Sequence, residues 1–192
     1  MGHTIVPVTY FDAPGPANTA TTLELGCKRA TELDLRHVLV ATTSGATAVQ
    51  AARRFRGFHV VAVTHSAGFA HANQVELEQE HRAALVALGA DILTCQHALG
   101  GVNRAVRKKL GTYQLDEIIA FALRTMGEGT KVACEIALMA ADAGLVPAGE
   151  PALAIGGTGR GADTALVLLP TNAQTFFDLR VQEIVCKPAF RG

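Results

Sequence analysis

The stretch HVLVATTSGATAVQAARRFRGFHVVAVT, residues 37–64, decides the fold class of this chain. Its first five residues, 37–41, form a short and continuously apolar run, which predicts a β-strand covered on both faces. A hydroxyl-rich turn follows at residues 42–47, and the pattern after it predicts a helix that continues to about Arg56 and ends at Gly57. Residues 59–64 are a second β-rich run. A strand, a helix and a strand with short connections predict a right-handed crossover between parallel strands.

The same alternation continues on both sides of this unit. Further strands are predicted at residues 5–11, 91–95, 152–155, 165–169 and 179–185. Helices are predicted at residues 18–33, 75–88, 102–110, 115–126 and 132–143, the first with a capping box at Thr21 and Glu24. The order predicts an α/β fold with a mainly parallel sheet and an antiparallel extension at the C-terminus. No linker or repeat interrupts it, so we expect one domain over residues 1–192.

The composition excludes several classes of protein. The chain has 192 residues, of which 49% are hydrophobic and 18% charged, so a disordered chain is excluded. Seventeen basic residues balance 17 acidic ones, and there is no Trp, so we expect neither a nucleic-acid partner nor an anionic membrane. No apolar run reaches the roughly 18 residues that span a bilayer. The N-terminus lacks a signal-peptide pattern, so we expect a cytoplasmic protein.

The cysteines and histidines do not predict a metal site. The four cysteines lie far apart in the sequence, none at metal-ligand spacing, and are interpreted as reduced core thiols: Cys27, Cys95, Cys134 and Cys186. His65 and His97 each follow a predicted strand on the same sheet edge, without a third ligand. Each could act as an acid, a base or a hydrogen-bond donor. A solvated or locally capped histidine is the alternative.

The turn after the strand at residues 37–41 is the first candidate binding site. A helix N-terminus has unpaired backbone amides and a positive dipole end, both of which favour an anion. Hydroxyls at Thr42, Ser44 and Thr47 add donors, and we expect Gly45 to let the main chain approach a ligand closely. The alternative is an ordinary N-cap by Ser44 or Thr43. The candidate site comprises Thr42, Thr43, Ser44, Gly45, Ala46 and Thr47.

A glycine-rich loop at residues 156–164 is the second candidate. A dinucleotide-binding fingerprint requires a helix after the glycines, but a strand is predicted there. Arg160 could bind a phosphate or carboxylate, and Asp163 could hold a ribityl or sugar hydroxyl. The alternative is a mobile hairpin in which these two side chains pair. The candidate residues are Gly157, Thr158, Gly159, Arg160, Gly161 and Asp163.

Two other charged groups have plainer interpretations. Glu135 and Asp142 lie seven residues apart on one predicted helix, and a salt bridge is the favoured role for Glu135. The basic residues of the segment from Arg104 to Lys109 are interpreted as a solvated helix face.

Several blocks of the sequence resemble a known family. Residues 38–48, with the Val-Thr run at 60–64, resemble the C-terminal domain of pyruvate kinase, in which such a turn frames a sugar-phosphate site. Residues 135–145 and 155–165 are similar to recurring blocks of the stand-alone pyruvate kinase alpha/beta domain proteins. The resemblance implies a three-layer α/β/α sandwich and a phosphate role for Thr42, Ser44, Gly45 and Thr47.

The same resemblance implies FMN as a ligand, since some family members are thought to bind it. Pyruvate kinase activity is not expected, because a chain of this length has no room for the catalytic barrel.

Two hypotheses about function follow. One is a protein that binds a small phosphorylated ligand, FMN first, with His65, His97 and residues 157–163 shaping the pocket, and a flavin-dependent oxidoreductase if it is an enzyme. The other is a regulatory module that senses a sugar phosphate. We also expect a homo-oligomer, because small apolar-rich α/β domains often leave a face to cover.

Overall fold

Seven strands form one mixed sheet in the computed structural model, which describes residues 2–189. The strands are β1 (Thr9–Phe11), β2 (His37–Ala41), β3 (His59–Thr64), β4 (Asp91–Thr94), β5 (Ala152–Gly156), β6 (Thr164–Leu169) and β7 (Arg180–Pro188). The helices are α1 (Thr19–Glu32), α2 (Ala46–Arg54), α3 (Gln79–Ala87), α4 (Val102–Leu110), α5 (Leu115–Arg124) and α6 (Glu128–Asp142). Short 3₁₀ turns cover Pro16–Asn18 and Ala173–Asp178.

The strand order is β1-β7-β6-β5-β2-β3-β4. β5, β2, β3 and β4 are parallel, whereas β6 is antiparallel to both β5 and β7, and β1 adds to β7 in parallel. These pairings confirm the predicted α/β class with its antiparallel C-terminal extension. From β2 the chain moves through β3 to β4 and then returns to β5, on the other side of β2. The direction of winding therefore reverses between β2 and β5, where α/β sheets form their ligand crevices.

Alternate residues of the central strands enter two separate cores. Val38 and Val40 of β2 face α1, α2 and α3, whereas Leu39 between them faces α6. Successive side chains of a strand point to opposite faces, so a continuously apolar strand requires helices on both faces. These two cores form the three-layer arrangement.

Several element boundaries differ from the predicted ones, by up to four residues. β1 begins at Thr9 rather than at Ile5, whose side chain is 87% exposed. The predicted capping box is wrong, because the N-cap of α1 is Asn18 and Thr21 lies inside the helix. α3 begins only at Gln79, after an extended residue at Glu78. α6 begins at Glu128, four residues earlier than predicted, directly after a positive-φ glycine at Gly127.

The glycine-rich loop between β5 and β6 is anchored by Asp163. This carboxylate is fully buried and accepts hydrogen bonds from the amides of Gly15 and Thr158 at 3.0 and 3.1 Å and from the Thr164 hydroxyl at 2.9 Å. The Ala162 amide also donates to Thr19 Oγ1 at 3.0 Å. These bonds connect the loop to the start of α1. Asp163 therefore holds the backbone of the loop, and within residues 2–189 it forms no ion pair with Arg160.

A bidentate ion pair connects α1 to β7. Arg29 Nε and Nη2 each donate to a Glu183 carboxylate oxygen at 2.7 Å, and both side chains are mostly buried. The hydrogen bonds from Arg29 lower the pKa of Glu183 below its ordinary value. A carboxyl with a lowered folded-state pKa stabilises the fold above its unfolded-state pKa, and this contribution disappears as the pH falls through the folded-state value.

We predict that Glu183→Gln lowers the free energy of unfolding by about 1 kcal/mol at pH 7, because a charge-assisted bidentate contact is lost. The difference from wild type should shrink as the pH falls below the ordinary pKa of the carboxyl. Urea unfolding at a series of pH values measures it. Glu32→Gln is the matched control, since Glu32 bonds the same arginine from a more exposed position. An equal loss in both variants, or a loss independent of pH, contradicts this account.

Candidate functional site

A cavity of about 590 Å³ opens at the carboxyl end of the sheet, over the point where the winding reverses. Its volume lies within the range of small-molecule and cofactor sites. It is lined by the ends of β2 and β3, the loops after β4 and β5, and the first turns of α1, α2 and α6. Arg104 of α4 and Arg124 of α5 complete the lining.

Internal hydrogen bonds hold the turn at residues 42–47 in shape. The Gly45 amide donates to Thr42 Oγ1 at 3.1 Å, and the Thr42 side chain is nearly buried. The Ser44 carbonyl accepts from His81 Nδ1 at 2.9 Å and from the Glu78 amide at 3.0 Å. The start of α3 therefore holds the carbonyl in the middle of the turn, and the conformation does not depend on a ligand.

Gly45 has a different role from the predicted one. Its φ of 103° lies in the region that glycine favours, and it occupies the N-cap position of α2. A Cβ at this position would lie 2.5 Å from His81 Cβ and 2.7 Å from Leu77 Cδ1. Gly45 is also absent from the cavity lining. Its small size thus allows α3 to pack against the turn, not a ligand to approach it.

The first turn of α2 offers unpaired donors to the cavity. Because the N-cap is a glycine, no side chain caps this helix, and the predicted N-cap by Ser44 or Thr43 is wrong. The first intrahelical bond runs from the Val49 amide to the Gly45 carbonyl. Within residues 2–189, the amides of Ala46 and Thr47 have no hydrogen-bond partner. The hydroxyls of Thr43, Ser44 and Thr47 line the cavity and likewise have no partner in that range.

Two further helices begin at the same cavity, which the sequence analysis did not predict. Thr19 and Ala20 belong to the first turn of α1, and Glu128 is the first residue of α6. The positive ends of three helix dipoles therefore meet here. The chain as a whole has no net charge, so this concentration of positive potential is local. The arrangement favours an anionic ligand.

The glycine-rich loop forms one wall of the cavity. Four of the six predicted loop residues line it: Gly157, Gly159, Arg160 and Gly161. Thr158 and Asp163 do not line it. The Thr158 amide donates to the Asp163 carboxylate, which is fully buried. The guanidinium of Arg160 is exposed and forms no salt bridge with any side chain in residues 2–189. A cation beside the turn at residues 42–47 is thus available to a ligand.

The structure brings His65 and His97 together in the cavity wall. Their ring centroids are 5.2 Å apart, and the Phe69 ring lies 4.1 Å from the first and 4.9 Å from the second. His65 Nδ1 lies 2.7 Å from Glu76 Oε2, which leaves its other ring nitrogen for a ligand. A histidine oriented by a carboxylate in this way can serve as a general base.

Burial determines the protonation state of His97. Burial lowers its pKa to about 4, and nearby His65, Lys131 and Arg104 also lower it, against the opposing effect of Glu135. His97 is therefore neutral at pH 7, with one ring nitrogen that donates and one that accepts.

A buried ion pair forms the floor of the cavity. Lys131 Nζ bonds to Glu135 Oε2, and both side chains are at least 95% buried. Glu135 Oε1 accepts the Leu99 amide at 3.0 Å. The predicted salt bridge of Glu135 is confirmed, but the sequence analysis missed Lys131, although an i, i+4 spacing on one helix was a usable signal. Asp142 has a separate role, since it accepts from Asn172 and from the Ala173 amide.

The basic segment of α4 divides into two parts. Lys108 and Lys109 are exposed, as predicted. Arg107 pairs with Glu117 at 2.7 Å. Arg104 contradicts the prediction of a solvated face, because it lines the cavity with its guanidinium carbon 5.0 Å from the centre of the Phe69 ring.

The remaining features add little chemistry. All four cysteines are free, and burial raises the pKa of Cys134 and of Cys186 to about 11, so both are protonated at neutral pH. In the described chain, only Glu78, Glu80 and His81 bring three candidate metal-ligand atoms together, outside the cavity lining. No helix within residues 2–189 has the length and apolar character needed to cross a membrane.

Among solved structures, the chain is similar to a pyruvate kinase from Cryptosporidium parvum, at 13% identity and a TM-score of 0.43, over 82% of this chain and 23% of that one. The pyruvate kinase of the same organism in complex with ADP matches at 14% identity and 0.44, over 83% and 25%. An NH₃-dependent NAD synthetase from Campylobacter jejuni, in complex with nitrate, matches at 14% and 0.32, over 57% and 47%. The chain thus spans about a quarter of the length of these pyruvate kinases.

All three TM-scores lie below 0.5, so these structures do not assign the chain to a family. A sequence-family model does. The model of the pyruvate kinase alpha/beta domain matches residues 20–168. The match includes both candidate loops and all of the elements from β2 to β5. Because it covers well over half of the 192 residues, the chain belongs to the pyruvate kinase alpha/beta domain family, as the sequence blocks predicted.

Proposed function

We propose that the cavity binds a small phosphorylated ligand, FMN first among the candidates, with its phosphate on the turn at residues 42–47. One observation carries the proposal: the uncapped first turn of α2 offers the amides of Ala46 and Thr47 to a cavity of cofactor size. A phosphate group requires several donors within a small concave surface. The hydroxyls of Thr43, Ser44 and Thr47 supply the others, and Arg160 supplies a charge.

The cavity lining also fits the rest of FMN. Beside the polar turn lies an apolar wall formed by four side chains: Val63, Val132, Ile136 and Met139. A polar end and an apolar wall match a ligand that joins a phosphate to a planar ring system. When bound, FMN supplies the redox chemistry of its ring.

The chain's own residues then have distinct tasks. The α2 turn orients the ligand through its phosphate. The neutral His97 donates or accepts one hydrogen bond, and His65, held by Glu76, can take up a proton at its free ring nitrogen. The buried Lys131, paired with Glu135, offers its remaining ammonium hydrogens as donors in the cavity floor.

A regulatory module that binds a sugar phosphate is the second candidate. The polar side chains of Gln50, Glu128 and Arg160 in the lining favour it, because they suit a ligand rich in hydroxyls. A colourless purified protein that sugar phosphates stabilise against heat, while FMN does not, would establish this candidate instead.

The proposal includes self-association through α4 and α5. Their outer face leaves large apolar side chains exposed, among them Leu110 at 69%, Leu115 at 73% and Ile118 at 55%. Several large exposed apolar side chains on two neighbouring helices are typical of an interface, and symmetric self-association is the commonest way to cover them.

We predict that light scattering finds the wild-type protein as a dimer or larger assembly, and that Leu115→Gln with Ile118→Gln shifts it toward the monomer. Glu24→Gln with Lys28→Gln, which removes two exposed charges from α1, should leave the assembly unchanged. A monomeric wild-type protein at micromolar concentrations contradicts self-association and leaves the phosphate site unaffected.

We predict that Ser44→Ala with Thr47→Val weakens FMN binding at least tenfold, because two donors to a dianion are lost. Riboflavin, which lacks the phosphate, should lose less than threefold. Calorimetric titration measures both affinities, and the absorbance spectrum of the bound flavin confirms the ligand. Thr21→Val with Thr112→Val is the matched control, since it removes two exposed hydroxyls outside the cavity lining.

Three results would refute the FMN assignment. One is an undetectable affinity for FMN in the wild-type protein. Another is an equal loss for FMN and riboflavin in the variant, which places the phosphate elsewhere. The third is a similar loss in the control pair, which shows that the hydroxyls of the turn have no particular role.

A further inference from the structure

We propose that the cavity contains a separate subsite for a small carboxylate-bearing molecule, beyond the carboxyl ends of β3 and β4. The subsite is formed by Arg104, Lys131, His65 and His97. It deepens the proposed function, on which it rests for the phosphate site at the other end of the same cavity. The subsite would hold the carboxylate of a second molecule, or of a substrate, beside the phosphorylated ligand.

Arg104 provides the principal charge. Its guanidinium lies over the Phe69 ring. A Cβ added at Gly100 would lie 3.3 Å from Arg104 Nη2 and 3.4 Å from His97 Cβ, so Arg104 and His97 both pack against this glycine. It forms no salt bridge with a carboxylate within residues 2–189. The planar fork of an arginine matches the two oxygens of a carboxylate. A cation–π contact with Phe69, with the guanidinium carbon 5.0 Å from the ring centre, holds the guanidinium at the cavity wall.

The charge balance favours a singly charged ligand. Lys131 and Glu135 form a buried pair that cancels, and Glu76 lies behind His65, outside the cavity lining. His97 is neutral. Arg104 thus remains as one uncompensated positive charge at this end. A carboxylate neutralises it, whereas a phosphate dianion finds its compensation on the α2 turn, beside Arg160.

The two ends of the cavity are far enough apart for two groups. The phosphate turn follows β2, His65 follows β3, and His97 follows β4, three neighbouring strands in this sheet. Neighbouring strands are spaced by about 4.8 Å, so the end of β4 lies about 10 Å from the end of β2. A phosphate and a carboxylate can therefore bind at once without sharing donors.

The lining supplies further donors and apolar surface. The neutral imidazole of His97 carries one N–H, and the Lys131 ammonium retains hydrogens beyond the one given to Glu135. The Phe69 ring, in contact with both histidines, offers an apolar surface for the body of a small acid. The subsite thus suits a carboxylate joined to a short apolar or aromatic group.

The test is calorimetric titration of the full chain with benzoate and with its neutral analogue benzamide. We expect benzoate to bind at least tenfold more tightly than benzamide, since only benzoate pairs with Arg104. Arg104→Gln should weaken benzoate at least tenfold and leave FMN within threefold. Lys108→Gln, which removes an exposed charge from the same helix, is the matched control and should change neither affinity by more than twofold.

The Ser44→Ala and Thr47→Val variant separates this proposal from the phosphate site. If it loses FMN and retains benzoate, both proposals stand. If the wild-type protein binds benzoate through Arg104 but does not bind FMN, the carboxylate subsite stands and the FMN assignment fails. Three results would overturn the subsite. One is equal binding of benzoate and benzamide, and another is no detectable binding of benzoate at about 10 mM. The third is an equal effect of Arg104→Gln and Lys108→Gln on benzoate binding.

Discussion

The backbone amides at the start of α2 have no partner within the described protein, and the site is arranged around this deficit. Every α-helix begins with unpaired amides, and most proteins satisfy them with a capping side chain or with solvent. Here Gly45 occupies the cap position, and the Thr42 hydroxyl is bonded to the Gly45 amide and is not available for capping. The remaining donors therefore face a cavity. An anion that enters the cavity can accept hydrogen bonds from these amides without a change in the conformation of the turn.

Other parts of the fold hold this arrangement in place. Packing of α3 against Gly45, and the bonds from His81 and Glu78 to the Ser44 carbonyl, fix the turn from behind. Asp163 fixes the glycine-rich wall opposite by accepting amides from two separate segments. On the floor, the Lys131–Glu135 pair is buried at a desolvation cost that the Leu99 amide partly offsets. A cavity that is already held in one shape would lose little conformational entropy on binding a ligand.

Periodicity and composition sufficed to predict the fold class, because the apolar strands and short connections leave few alternatives. β2 and β3 were predicted to the residue, since an apolar run between turn residues has one interpretation. The strand order was not predictable, because it depends on which strand edges meet. The start of α3 was misplaced because Leu77 is buried against Gly45 and resembles a helical core position.

The candidate site was predictable in part. The turn at residues 42–47 and the two histidines follow strands at one sheet edge, so their proximity could be inferred from the parallel order. Arg104, Lys131 and the first turns of α1 and α6 could not, because they enter the cavity from helices whose orientation only the packed fold determines. The bond between Asp163 and the Gly15 amide, 148 residues away, was not predictable from the sequence for the same reason.

The most direct measurement of the central claim is an amide NMR titration of the full chain with inorganic phosphate. The unpaired amides of Ala46 and Thr47 should show the largest downfield shifts, since they acquire a charged acceptor, while the Val49 amide, already bonded to Gly45, should change little. Saturable shifts at these two amides would support the account. Shifts confined to other residues, or none on these amides while phosphate binds, would contradict it.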